Sequence, residues 1–201
     1  MAIGAAGVAL ICVFCATFAG WVAPHNPFDL ATLELSDSML PPAWMAGGSG
    51  KYLLGTDEQG RDVFSALMYG ARISLLVGGA SVLLSLLIGV TLGLVSGYVG
   101  GRIDALIMRK HVLPNVMGPV LVLSTIQVAT AILAEATLSF LGVGVSPTSP
   151  SLGTFINEGN KQLFSGAWWL VIFPGSMLVM IALSINLFGD WLRDALNPRL
   201  R

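Results

Sequence analysis

Several residue groups have types or spacings that chemistry uses. Cys12-x-x-Cys15 has the spacing of a redox or metal pair. It lies inside an apolar run with no His or carboxylate near, where free cysteines serve as small, inert packing residues. Gly47-Gly48-Ser49-Gly50-Lys51 invites a phosphate-loop reading. That motif needs Gly where Met45 stands and Ser or Thr where Tyr52 stands. Both requirements fail, so ATP is not expected to bind there. Glu135 is the one acid inside a candidate membrane span, and an intramembrane carboxylate is a functional-site hypothesis by default. The alternative places it at the interface, capping a neighbouring helix or pairing with an Arg. Asn186, deep in the last apolar run, reads as a hydrogen bond between helices. No cluster of His, Cys and acids favours a metal, and no catalytic residue or cofactor is expected.

The elements that hold these residues follow from composition. Of 201 residues 55% are apolar and 10% charged, with a mean hydropathy of +0.80. A soluble domain carries about 25% charged residues, so the composition points to an all-α polytopic membrane bundle. Net charge is −1, which offers no basic field for nucleic acid. Runs 1–28, 73–101, 112–134 and 162–189 lack Asp, Glu, Lys and Arg. Each has room for the ~20 apolar residues that cross a bilayer. Four transmembrane helices are therefore predicted, at 2–22, 74–98, 113–135 and 168–188. A fifth charge-free run, 136–157, holds Pro147 and Pro150 and reads as a loop with a short helical start.

Lysine and arginine set the orientation. Segments 102–111 and 190–201 hold six of them in 22 residues, whereas 24–72 and 140–166 hold four in 76. The short segments, and with them both termini, are expected in the cytoplasm and the longer loops outside. A cleaved signal peptide would want a basic start and a shorter apolar run than the first span offers.

Ser81, Ser85, Gly89, Gly93 and Gly97 recur every four residues along the second span. They make a small-residue ridge over which another helix can pass closely, within the chain or on a second subunit. Pro174 should kink the last span below Trp168 and Trp169, which suit the outer interface. Residues 24–50 are irregular by composition. From Asp57 and Glu58 an amphipathic helix is expected near 57–70, with Val63, Phe64, Leu67 and Met68 on one face. Asp190, Trp191, Arg193 and Asp194 suit a short interfacial helix that Pro198 ends. The expected divisions are a first transmembrane helix (1–23), an external loop (24–72), the remaining transmembrane domain (73–190) and a cytoplasmic tail (191–201).

Longer strings carry a resemblance. Leu54-Gly55-Thr56-Asp57, Gly60-Arg61-Asp62, Ser65, Tyr69-Gly70-Ala71-Arg72 and Ser74-Leu75 come first. Gly97-Tyr98 with Gly100-Gly101, His111-Val112-Leu113-Pro114-Asn115 and Ala134-Glu135-Ala136-Thr137-Leu138-Ser139-Phe140-Leu141-Gly142 follow. Pro150-Ser151, Gly153, Glu158-Gly159, Asn186-Leu187, Gly189-Asp190, Leu192-Arg193-Asp194 and Pro198 complete the set. In this order they resemble the permease subunits of dipeptide/oligopeptide-type (peptide/nickel family) bacterial ABC importers, over most of residues 52–201. The resemblance implies a type I importer permease in the bacterial plasma membrane. Its partners would be a second permease subunit, two cytoplasmic ATPase subunits that hydrolyse ATP, an external substrate-binding protein and the lipid bilayer.

The departures concern coupling. Such permeases resemble a six-span plan whose cytoplasmic Glu-Ala-Ala loop docks on the ATPase. Here Met108-Arg109 reads as the start of the family's third span, and Lys110-His111 as the stretch just past that loop. The third and fourth spans and the Glu-Ala-Ala element are missing, and only His111, Leu113 and Pro114 remain of the coupling region. Removing an even number of spans leaves every retained loop on its own side. Ala66 stands where an Arg is usual, and Leu152 where a Trp is usual. The function expected is a peptide-importer permease, or one for a related solute such as nickel, deficient in coupling. The alternative is a non-transporting structural or regulatory remnant of one.

Overall fold

Uncharged, small and aliphatic residues from Ala2 to Thr17 form helix α1. Thr17 turns its hydroxyl back onto the Val13 carbonyl at 2.6 Å, and a break at Phe18 separates α1 from the single turn α2 (Ala19–Val22). The expected first span is thus two helical pieces. The computed structural model describes residues 2–29, 33–99, 113–144 and 150–196, and the statements below concern those. Between α2 and residue 62 the described residues form no α-helix, only a 3-10 turn at Leu35–Asp37 and a single antiparallel bridge between Thr56 and Asp62; over 24–50 this follows the Pro, Gly and Ser content.

Helix α3 runs unbroken from Val63 to Val99, 37 residues. The amphipathic helix expected near 57–70 and the second span are therefore one helix, and it begins at Val63, not at Asp57. The cause is a cap. Asp62 accepts the backbone N–H groups of Ser65 (3.1 Å) and Phe64 (3.3 Å), satisfying donors that a helix start leaves open. Helix α4 covers Leu113–Phe140, five residues beyond the expected span. Within run 136–157 lies the start of helix α5 (Leu152–Lys161), where no helix was anticipated. Ser151 caps it, its Oγ accepting the Thr154 N–H at 3.4 Å. Helix α6 (Trp169–Leu196) carries Pro174 inside it and continues through the stretch expected as a separate interfacial helix.

Three helices are long and apolar enough to cross a membrane, within Val63–Val95, Leu123–Phe140 and Trp169–Trp191; the apolar stretch Gly7–Thr17 is shorter. Helices α1 and α4 each pack against both α3 and α6, while α5 is wedged onto α4 and α6. The described residues form an all-α bundle. Its core gathers Cys12, Ala16, Val63, Leu67, Ala71, Ile132, Leu152, Trp169, Leu170 and Ile181. These positions sit toward the end where α3 and α6 start. Along α3 as far as Val95 the last buried residue is Val82, and from Leu83 to Val95 only Leu86 is even half-buried.

Candidate functional site

The segment before α3 folds into a cap over the core end of the bundle. Two glycines make its turns possible. Gly55 (φ +83°) and Gly60 (φ +74°) adopt the left-handed region, and a Cβ on either would lie 2.5 Å from a backbone oxygen, of Leu40 and Glu34 respectively. Thr56 is fully buried at the centre. Its hydroxyl donates to the Asp37 carbonyl (2.5 Å) and accepts the Leu40 N–H (2.8 Å). Its own carbonyl receives the indole N–H of Trp169 at 3.3 Å. One of the two tryptophans expected at the interface is thus buried, and only Trp168 stays exposed.

Arg61 is the charged centre of this cap, 5% exposed. Its Nε donates to Asp57 Oδ2 at 2.5 Å and its Nη2 to Glu158 Oε2 at 2.9 Å, while the guanidinium lies 5.3 Å from the Phe155 ring centroid. Asp57 Oδ1 also accepts the N–H groups of Gln59 and Arg61, both at 2.9 Å. A buried guanidinium is tolerated because paired carboxylates and hydrogen bonds offset its desolvation. The pairing spans 97 positions and ties the cap to α5. Gln162, just past α5, donates to Glu58. On the far side Ser65 Oγ donates to Asp62 (2.6 Å) and accepts the His25 N–H (3.2 Å), fixing the chain that leaves α2.

Tyr52 and Lys51 converge on Asp37, the phenol at 2.9 Å and the ammonium at 3.5 Å. Burial, with the Asp37 hydrogen bond, pushes the Tyr52 phenol above its ordinary range. The hydrogen bond with Tyr52 raises Lys51 likewise. The lysine of the glycine-rich stretch thus faces Asp37 across an exposed ion pair.

Six residues of the quoted motif, Gly55, Thr56, Asp57, Gly60, Arg61 and Asp62, thus meet in one place. Gly70 joins them from α3, where a Cβ would stand 3.1 Å from the Phe155 ring. Arg72 points away, exposed. The ridge falls elsewhere: Ser81, Ser85, Gly89 and Gly93 are exposed, a Cβ on either glycine would meet nothing within 4 Å, and Gly97 lies near the end of α3. Within the described chain α3 packs instead through Ala71, Ser74, Gly78 and Val82, and a Cβ on Gly78 would come 2.6 Å from Ile132. Glu135 is buried in that crossing, accepting Ser74 Oγ (2.9 Å) and Ser139 Oγ (2.6 Å). Asn186 is half-buried on α6. Leu113 and Pro114 open α4, and His111 lies outside the described residues. Cys12 sits in the core, and neither cysteine is bridged.

Glu158 stands in the sequence only as part of the Glu158-Gly159 string, with no partner assigned, and Phe155 carries no sequence signal of its own. A buried Arg announces that it needs an acid, but which of 11 acidic residues supplies it is a matter of folding.

Residues 104–201 match the family described as "Binding-protein-dependent transport system inner membrane component". The chain is 35% identical to the di/tripeptide transport system permease protein DppC of Pseudomonas aeruginosa, covering 96% of this chain and 86% of that protein. It is 36% identical to dipeptide transport system permease protein DppC of Escherichia coli K12, covering 96% and 87%. With dipeptide transport system permease protein DppC of Bacillus subtilis the identity is 32%, covering 88% and 76%. The alignment with the Pseudomonas protein runs over 265 positions, more than the 201 residues present here, so that relative carries sequence with no counterpart in this chain.

Proposed function

The chain belongs to the inner membrane components of binding-protein-dependent transport systems, as a peptide ABC importer permease, and we propose that it forms part of a peptide pathway across the bacterial plasma membrane. The observation that carries this is the 96% of the chain aligned with peptide permeases at 35–36% identity. Such a subunit performs no covalent chemistry, and ATP hydrolysis belongs to two ATPase partners. Transport is alternating access, in which a binding protein outside and ATPases inside bias helices between two arrangements. Six Lys and Arg in segments 102–111 and 190–201 support a cytoplasmic location for both termini. The cap around Thr56 and Arg61 then faces outward, where the binding protein docks.

The block present in the relatives and absent here falls, in our reading, between Arg109 and Lys110. It would hold two spans and the coupling loop. Without that loop the chain inserts but does not transmit the ATPase state to its helices. Expressed in a strain lacking its own peptide permease subunit, the 201-residue chain should reach the membrane and fail to restore dipeptide uptake. Uptake at wild-type rate would overturn the coupling defect. The longer alignment also favours a second reading, a remnant that associates with a permease without transporting. Co-purification of ATPase subunits with this chain would argue against the remnant.

A further inference from the structure

Below Arg61, between the cap, the start of α3, α5 and the start of α6, lies a cavity of about 180 Å³. Pockets that take whole small molecules measure about 300–1,000 Å³. This space therefore suits one side chain or one small group, not a peptide. Its apolar wall is made by Ala66, Leu67, Phe155 and Leu170, and its charged groups are Asp57, Glu58, Glu158, Arg61 and Lys161.

Three carboxylates face two cations. Arg61 is already engaged by Asp57 and Glu158, one oxygen of each. Backbone dipoles add to the negative side. Helix α5 ends at Lys161, so its carbonyl end borders the cavity. Pro174 has no N–H to give, which deprives the Leu170 carbonyl of its usual partner four residues on. Gly159 packs directly on that carbonyl, and a Cβ there would overlap it. No group of His, Cys, Asp and Glu among the described residues converges as metal ligands do. A cation that suits the site needs an apolar portion for the Ala66 and Phe155 wall.

We propose that this cavity binds a guanidinium or ammonium group on a short apolar stem. The stem lies along Ala66 and Phe155, and the head meets Glu58 and Glu158 at the rim. Its source is either a free organic cation or a basic side chain of the external binding protein; the second source rests on the importer reading.

The whole chain in lipid nanodiscs is unfolded thermally with N-acetyl-arginine methylamide and with its neutral isostere N-acetyl-citrulline methylamide. The arginine compound should raise Tm by about 2–4 °C near saturation, and the citrulline compound should not. Ala66→Arg places a guanidinium in the cavity from within, so its Tm should no longer respond. Glu58→Gln, an exposed change, should weaken the response several-fold and serves if Ala66→Arg does not fold. Equal responses to the two compounds, or a response that survives both substitutions, would overturn the proposal. The purified binding protein encoded with the permease then separates the sources. Docking weakened by Ala66→Arg identifies a basic side chain of that protein, and unchanged docking identifies a free cation. If the wild-type chain does not dock at all, the importer reading fails while the response to the arginine compound still stands.

Discussion

Arg61 concentrates the energetics of the cap in one side chain. Breaking a buried charge pair by removing one partner costs about 3–5 kcal/mol. Glu158 is 36% exposed, so water screens its half of the pair and the expected cost of Arg61→Ala is about 2–4 kcal/mol. Denaturant titration in detergent measures this. Arg61→Lys should recover little, because one ammonium cannot reproduce a planar fork that serves two acids at once. Glu135→Leu should cost about 1–3 kcal/mol by removing the acceptor of the buried Ser74 hydroxyl, read by the same titration. Tyr52 adds a pH dependence. Its phenol titrates higher in the fold than its ordinary value of 10.0, so the unfolded chain gives up the proton first. Stability is then full below pH 10 and falls as pH rises toward the folded value. Thermal unfolding at stepped alkaline pH should show the decline, and Tyr52→Phe should reduce it.

At the scale of elements, two glycine-bearing surfaces behave oppositely. Gly153 on α5 lies so close to Ala136 that a Cβ would overlap the α4 backbone. Gly153→Ala must push the helices apart, at about 1–3 kcal/mol of overpacking, and should lower Tm of the isolated chain. Gly89 and Gly93 on α3 meet nothing within 4 Å. Gly89→Leu and Gly93→Leu should leave that Tm unchanged and instead reduce recovery of a second permease subunit in pull-down, if the ridge packs between chains. Sequence showed a helix built for close approach. It did not show how far along that face a neighbour reaches: Ser81–Gly93 continues the face of Ser74 and Gly78, and within this chain only the first part is covered. Helix α5 escaped notice for a related reason: ten residues with polar and apolar positions mixed carry no spanning signal, and packing on α4 and α6 sustains it.

For the whole molecule the uncovered stretch of α3 from Leu83 to Val95 is the main fact. The core is concentrated at the capped end, and the relative from Pseudomonas carries aligned sequence that this chain lacks. If the absent block belongs between Arg109 and Lys110, it emerges beyond the end of α3 and can return along that open stretch. Inserting the corresponding block of the Escherichia coli relative there should restore dipeptide uptake. Failure of the extended chain to restore it, when it is made and inserted, would argue against that junction.

The sequence by itself determined the class of molecule, the apolar helices and the family, since those rest on hydrophobic run length and on local strings such as Gly55-Thr56-Asp57 and Gly60-Arg61-Asp62. Tertiary structure alone decided that α3 starts at Val63 and runs through what reads as two elements, because capping by Asp62 and burial of the first turns override the polar start at Asp57. It also decided that Arg61 pairs with Glu158, that Trp169 reaches Thr56 and that Glu135 is held by two serines. Each joins residues from separate elements, and a buried polar group accepts whichever partner the packing of those elements delivers.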